Sequence, residues 1–368
     1  MKIPFVDLKA QYHSIKNDID TAIQNVISET AFIKGKYVQD FEQDYSDSYG
    51  VKHCISCANG TDAIYITLKA LGIGQGDEVI TVANTWISTS ETISQTGAKP
   101  VFIDIHPDYY TIDVSKIEEK ITAKTKAIIP VHLFGQPAEM DVILDLCERH
   151  NLFLVEDCAQ AHFAEWKGTR VGTMGIAGTF SFFPGKNLGA YGDAGAIITN
   201  DDEFAMNARM YANHGALIKH QHQIEGINSR LDGLQAAILS TKLPHILDWS
   251  QSRLDNALKY NELLGSIDGI AIPKIHDDVK HVFHLYVVRV KNRSNLQTYL
   301  KENGIASGIH YPTPLPFLQA YSYLGHTASD FPVADEYSSQ ILSLSMYPEL
   351  TTEMIEFTCS KLKAYLNK

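Results

Sequence analysis

Ala127-Ile128-Ile129-Pro130-Val131 and Leu152-Phe153-Leu154-Val155-Glu156 are short, nearly unbroken apolar runs, and they decide the fold. A strand with one face in water alternates apolar and polar residues, whereas a strand covered on both faces does not, so these runs predict buried parallel strands flanked by helices. Outward from them, β-rich runs at 53–57, 78–82, 100–105, 127–133, 152–156, 179–183 and 196–199 alternate with stretches of helical period. Those stretches begin near Thr61, Thr85, Val114, Met140 and Asp202. The alternation marks an α/β chain. After about Leu247 the pattern changes to a long polar helix over 248–264, then GIAIP, HLYVVRV and a final helix over 352–368. We expect a large domain over 1–247 and a smaller α+β domain over 248–368, with no Gly/Ser linker between them.

At about 150 residues per domain, 368 residues give two or three domains with ample chain for a buried core. A composition of 45% hydrophobic and 20% charged residues excludes a disordered or collagen-like chain. The net charge of −12 repels polyphosphate at long range, which argues against nucleic-acid binding and leaves any anionic ligand to find a local positive pocket. Charges interrupt the start, MKIPFVDLK, and no run of about 18 apolar residues occurs, so neither a signal peptide nor a membrane span is predicted. Five cysteines are an odd number and too few for a disulfide framework, which predicts reduced thiols and a cytoplasmic location. Cys54 and Cys57 form a C-x-x-C without a second pair or a suitably placed His, and are read as buried strand cysteines.

Several motifs bear on chemistry. Gly72-Ile-Gly74-Gln-Gly76 precedes a strand instead of following one and reads as a turn, not a dinucleotide fingerprint. In Ser56-Cys57-Ala58-Asn59-Gly60-Thr61-Asp62-Ala63 a strand ends and small residues open a helix, whose free N–H groups and hydroxyl suit an anion or serve as a simple cap. Leu154-Val155-Glu156-Asp157-Cys158-Ala159-Gln160 ends an apolar strand in a carboxylate that either faces the crevice or caps a helix. Phe180-Ser181-Phe182-Phe183-Pro184-Gly185-Lys186-Asn187-Leu188-Gly189, followed by Tyr191-Gly192-Asp193-Ala194-Gly195, sets a lysine between a strand end and a glycine-rich turn. Lysine can lose its proton when desolvated and attack a carbonyl to form a Schiff base.

Together these segments resemble the fold type I, aspartate aminotransferase-like pyridoxal phosphate enzymes, and more closely the DegT/StrS family of sugar-nucleotide aminotransferases. IPFVDLKAQY, CANGTDA, GDEVIT, AIIPVHLFGQ, EDCAQAH, SFFPGKNLGAYGDAGA, NSRLDGLQAA and IHYPTPLP carry the resemblance in order along nearly the whole chain. It implies a large domain with a mostly parallel mixed sheet, and pyridoxal 5'-phosphate as cofactor with pyridoxamine 5'-phosphate as the intermediate form. Lys186 is then the lysine that holds the cofactor aldehyde and moves the proton, Asp157 pairs with the pyridine nitrogen, and Gln160 bonds the phenolic oxygen. Gly60, Thr61 and Ser181 hold the phosphate, and Trp86 stacks on the ring. Asn228 matches the asparagine that reaches the phosphate of the opposite subunit, which implies a homodimer with shared sites.

On the substrate side, Lys219 and His222 offer positive charge for a nucleotide diphosphate, or form a solvated loop. Arg230 contacts a ligand or pairs with Asp232; His162, His310 and Tyr311 face the sugar or pack. The resemblance implies amine transfer from L-glutamate to a nucleotide-linked keto hexose, in two half-reactions with ping-pong kinetics. PGKNLGAYGDAGA resembles the 3-keto branch, and a 4-keto sugar is the alternative. Phe163, where relatives often have Gly, and Pro316, where they often have His, bear on which sugar is bound. Two further alternatives are a sugar dehydratase, whose cofactor lysine is replaced by His, and a non-catalytic effector-binding relative; Lys186, with Asp157 and Gln160, stands against both.

Overall fold

The computed structural model describes residues 1–367. Three helices lead in: α1 (Leu8–Ser14), α2 (Lys16–Ser28) and α3 (Lys36–Tyr49). The sequence reading left them unassigned because each is mostly polar. In α3 only a narrow stripe, Val38, Phe41, Tyr45 and Tyr49, is apolar and buried, at the three- and four-residue spacing of one helix face.

The main sheet then assembles from β1 (His53–Cys57), β2 (Glu78–Val82), β3 (Lys99–Ile103), β4 (Thr125–Ile129) and β5 (Phe153–Asp157), joined by α4 (Gly60–Ala70), α5 (Ser88–Thr96) and α6 (Met140–His150). Two short strands, β6 (Glu165–Trp166) and β7 (Thr169–Arg170), lead to β8 (Ala177–Ser181) and β9 (Gly195–Thr199). The seven-stranded order is β1-β9-β8-β5-β4-β2-β3. β9 runs antiparallel to both neighbours and the pairs from β8 to β3 are parallel. Ala127, Ile128 and Ile129 of β4 and Leu154, Val155, Glu156 and Asp157 of β5 are buried, as strands covered on both faces require.

The strand ends differ from the sequence reading for local reasons. β4 stops at Ile129 because Pro130 brings no N–H to the ladder, and Leu133–Gly135 forms a 3-10 turn. β8 lies earlier than expected, so Phe182, Phe183 and Pro184 have already left the sheet. The stretch from Val114 is two 3-10 turns, Val114–Lys116 and Glu118–Lys120, the first capped by Asp113. Gly72 and Gly76 have φ of 73° and 95°, the turn geometry that residue type allows. Cys54 and Cys57 are buried on β1 as free thiols.

Downstream lie α7 (Asp202–Ala212), α8 (Gly233–Lys242) and α9 (Ile246–Leu264). A second sheet pairs β10 (Ile270–Ala271), β12 (Tyr286–Val290) and β13 (Ile341–Leu344) antiparallel, while β11 (Val279–Lys280) joins β6 and β7. With α10 (Arg293–Glu302), α11 (Pro332–Ser338) and α12 (Thr352–Leu366) they complete the chain. The final helix is therefore seen to Leu366, and the expected end at Lys368 lies outside the described residues. Tyr260, Tyr286, Leu296, Leu342 and Leu362 share one apolar cluster with Ile3 from the N-terminus. Leu315, Tyr321 and Phe331 instead join the cluster beneath the main sheet. The 247/248 boundary falls in the first turn of α9, and we keep it as a proposal for the organisation of the chain.

One buried polar group of β5 ties down the loop before β8 and the turn after β4. Glu156, with no exposed surface, accepts backbone N–H bonds from Gly172 (2.7 Å), Met174 (2.8 Å) and Gly175 (2.8 Å). His132 Nδ1 accepts the Ala138 N–H, so Nε2 carries the proton and donates to Glu156 Oε2 at 3.2 Å. His132, Glu156 and Cys158 lie close enough together to suggest a metal, but these bonds already use the donors and acceptors of the first two. In Glu156→Gln an amide N–H₂ must face backbone N–H donors, so we expect a loss of about 2–4 kcal/mol in denaturant unfolding.

Candidate active site

Residues at and just past the C-terminal ends of β1, β5 and β8 come together, Gly60 against Ser181 and Asp157 within electrostatic reach of Lys186, at the end of the sheet where open α/β folds bind ligands in a crevice. From β1 the chain enters α4 through Asn59, whose Oδ1 accepts the Asp62 N–H at 2.8 Å. Gly60 follows because nothing larger fits: a Cβ there would sit 2.5 Å from Ser181 Cβ. Thr61 Oγ1 shares a 2.7 Å hydrogen bond with Ser88 Oγ at the start of α5. Among the described residues the Gly60 and Thr61 N–H groups find no acceptor, so they and the Ser181 hydroxyl are available to an anion.

Asp157 ends β5 almost fully buried, at 4% exposure. Its Oδ2 accepts from Thr89 Oγ1 at 2.7 Å and its Oδ1 from the Ala159 N–H at 3.1 Å. Burial raises its pKa above the usual carboxylate value, and the Thr89 and Ala159 bonds oppose that rise. Lys186 sits in the turn after β8, its N–H bonded to the Phe183 carbonyl at 2.8 Å. Its amine makes no ion pair among the described residues, and burial lowers its pKa to about 8, with the Asp157 charge opposing the shift. A lowering from 10.5 to about 8 disfavours protonation by roughly 3 kcal/mol, which is the condition for a nucleophilic amine.

Around this pair, Gln160 accepts the Phe134 N–H at 2.8 Å and donates to the Tyr311 hydroxyl at 3.0 Å. One Gln160 N–H remains free for a further acceptor. The Tyr311 ring lies 5.7 Å from that of Trp86, which is 58% exposed. His310 Nδ1 meets Ser343 Oγ at 2.8 Å and its ring stacks on Phe5. Burial, with the Lys186 charge, pushes His310 down to about 4. His162 has no exposed surface; its ring packs against Phe180 and Phe182, and burial lowers it to about 3.

The remaining sequence candidates lie elsewhere in the single chain. Lys219, His222 and Asn228 are exposed, and His222 Nδ1 bonds the His214 carbonyl at 2.7 Å. Asn228 bridges Asn213 through the backbone, and its neighbour Ser229 donates to Asp62 Oδ2 at 2.7 Å, which ties this segment to the first turn of α4. Arg230 and Asp232 do not form an ion pair among the described residues. Instead Asp232 bridges Ile33 through the backbone, and Arg230 lines a cavity of about 220 Å³ with Lys34 and Arg209. Lys34 is lowered by burial and by the Arg230 charge.

Sequence reasoning missed Thr89 and Ser88, although the buried hydroxyl run Ser88-Thr89-Ser90 in α5 was a signal. It also missed His284, whose Nδ1 lies 3.2 Å from Asn187 Oδ1 and whose pKa burial drives far down, with the Lys186 charge adding to the shift.

A doubly wound sheet whose crevice joins a desolvated lysine, a buried carboxylate and an open helix start is the equipment of a fold type I aminotransferase. The narrower identification comes from known proteins: the chain belongs to the DegT/DnrJ/EryC1/StrS aminotransferase family, whose pattern residues 13–363 match. It is 45% identical over 367 residues to the "Pleiotropic regulatory protein" of Geobacillus stearothermophilus, covering 99% of each chain. It is 43% identical over 360 residues to the UDP-2-acetamido-2-deoxy-3-oxo-D-glucuronate aminotransferase of Pseudomonas aeruginosa, covering 98% of this chain and 99% of that one. Among solved structures, S. venezuelae DesV in complex with a ketimine intermediate superposes with a TM-score of 0.97 at 38% identity, covering 100% of this chain and 99% of that one. NtdA from Bacillus subtilis, with bound cofactor PMP, gives 0.93 at 32% identity, covering 100% and 86%. The family is pyridoxal phosphate-dependent. The residues present fit that group: a helix start stripped of side-chain bulk by Gly60 and, among the described residues, two N–H groups without acceptors and an amine without an ion pair.

Proposed function

We propose that the chain moves an amino group from L-glutamate to C3 of a nucleotide-linked keto hexose, giving an amino sugar for polysaccharide or glycoconjugate synthesis. The observation that carries this reading is the buried Lys186 amine, which makes no ion pair among the described residues and interacts electrostatically with the buried Asp157 carboxylate. The matches to aminotransferases support it, and the 3-oxo sugar of the P. aeruginosa enzyme supports amination at C3.

In this reading Gly60, Thr61 and Ser181 hold the cofactor phosphate, and Trp86 covers the ring. Pyridoxal phosphate supplies an electron sink that stabilises the carbanion left when a carbon beside the amine loses its proton. Lys186 takes up and returns that proton at Nζ, a task suited to an amine lowered to about 8. Asp157 holds a positive ring nitrogen in place, and Gln160 offers its free N–H to the phenolic oxygen. His162, His310 and Tyr311 shape the sugar side, while Lys219 and Arg230 supply positive charge toward the diphosphate and His222 lines the same side.

Because Asn228 is exposed and its side chain has no hydrogen bond among the described residues, we assign it to the crevice of a second copy, in a cytoplasmic homodimer. No described helix is long and apolar enough to cross a membrane. Asn228→Ala is expected to lose cofactor about 10-fold faster on dialysis with unchanged sedimentation; unchanged retention removes the cross-subunit role. Incubating pyridoxamine-loaded enzyme with a panel of 3-keto and 4-keto nucleotide sugars, scored by product mass and NMR, tests the whole reading. A 3-amino product supports it. A 4-amino product moves the site of amination, and no product with any sugar favours an effector-binding role, as the name of the G. stearothermophilus relative suggests for that protein.

A further inference from the structure

Lys242, the last residue of α8, has no exposed surface, yet no carboxylate lies within ion-pair reach among the described residues. Its Nζ donates to the Gly189 carbonyl at 2.7 Å and lies 4.2 Å from the centre of the Tyr191 ring. Burying an ammonium without a carboxylate partner is expensive, so the carbonyl and the ring face are its main compensation. Burial lowers it to about 8, and the charge of Glu349 helps it keep its proton.

Both groups it touches belong to the turn that carries Lys186. That turn is closed tightly on itself: Ala190 N–H bonds the Phe182 carbonyl at 2.8 Å, and a Cβ on Gly189 would sit 2.4 Å from the Pro184 carbonyl oxygen. A second side chain of α8 grips the same segment. Gln235 Oε1 accepts the Tyr191 N–H at 2.8 Å, and its Nε2 packs against Gly192. On the far side, Asn187 Nδ2 donates to the Val282 carbonyl at 2.9 Å. Two of these three anchors come from one helix face, seven residues apart along α8, the spacing of two helical turns.

We propose that Lys242 and Gln235 are positioning residues that clamp the 187–192 turn onto α8 and so hold the Lys186 amine in place beside Asp157. The proposal rests on the role given to Lys186 above. A buried cation is used here where an apolar side chain would pack as well but could not fix a carbonyl. Misplacing a reacting amine by about 1 Å costs up to about 10²-fold in rate.

The test compares the full-length wild type with Lys242→Met, which keeps the length and apolar packing of the stem, and with Gln235→Ala at a partly exposed helix position. Apo-protein is treated with pyridoxal phosphate and cyanoborohydride, and the adduct on Lys186 is quantified by peptide mapping. kcat and the KM for L-glutamate are measured on the holoenzymes. For Lys242→Met we expect labelling and kcat to fall about 10- to 100-fold with KM within about 3-fold of wild type. Gln235→Ala should show the same pattern at about 3- to 10-fold. Wild-type labelling, kcat and KM in both variants overturn the clamp. If Lys242→Met does not fold, Gln235→Ala decides alone. A wild type that labels elsewhere than Lys186 overturns the site reading instead, so the two failures are told apart.

Discussion

Replacing Lys186 with alanine is expected to lower turnover by at least about 10³-fold and to leave the fold intact. The rate loss follows because the neighbouring titratable groups among the described residues are poor substitutes as a base. Asp157 is occupied by Thr89 and Ala159, and His310 is lowered to about 4 and held by Ser343. His162 is lowered to about 3 with no exposed surface. General-base catalysis alone contributes about 10²–10⁴-fold, and loss of the covalent attachment point adds to it.

The intact fold follows from the lysine's own energetics. A lysine lowered from 10.5 to about 8 binds its proton less tightly folded than unfolded, so its contribution to stability is worst below pH 8 and recovers as pH rises toward 10.5. At pH 7 the wild-type apo-protein therefore carries an unfavourable ammonium that the variant lacks. The melting temperature of apo Lys186→Ala at pH 7 should equal or exceed that of wild type, and the difference should shrink by pH 10. Retained transamination, or a large fall in melting temperature at pH 7, would end the assignment.

How much of this was legible in the sequence varies with the physics of each element. β4 and β5 could be read because burial on both faces leaves an apolar run that no solvated strand or surface helix produces. The opening of α4 could be read because only small residues and a capping Asn suit a strand-to-helix turn, and the 2.5 Å clearance at Gly60 shows the reason. The Val114 stretch was misread because an Asp cap and alternating charges fit a short 3-10 turn as well as a helix. Helices α1 to α3 escaped because their buried stripe is narrow.

Within the site, Lys186 and Asp157 carry chemical signatures that spacing can flag. Thr89 carries only the weaker one of its hydroxyl run, since a hydroxyl in a helix more often bonds its own backbone, as Thr92 does toward the Ser88 carbonyl at 2.8 Å. The link from Gln160 to Tyr311 spans 151 residues of chain, and no local pattern encodes it. The family resemblance brought Gln160 and Tyr311 to notice as separate residues, and only the fold joins them. The Arg230–Asp232 ion pair, one of two readings that proximity in sequence allowed, is not found among the described residues, and Arg230 lines the cavity beside Lys34.

Asp157→Asn separates function from folding in a second way. The substitution is nearly isosteric, and both observed contacts survive it: Oδ1 still accepts the Ala159 N–H, and the new N–H₂ donates to Thr89 Oγ1, which only has to rotate its own proton away. What is lost is the negative charge, and that charge is costly in the apo-protein. Burial raises the folded pKa of Asp157, so the folded state binds the proton more tightly than the unfolded chain. The stabilising contribution is then present below the unfolded pKa and is lost as pH rises through the folded value. At neutral pH the ionised carboxylate is a net burden until a positive ring nitrogen sits against it.

The expected result is an apo-protein at least as stable as wild type at pH 7 in denaturant unfolding, with kcat lower by about 10²–10⁴-fold. Stability and activity must move in opposite directions for the charge to be the working feature. If Asp157→Asn loses stability and activity together, Asp157 is a capping residue of the 157–160 turn, and the partner of the ring nitrogen has to be sought elsewhere.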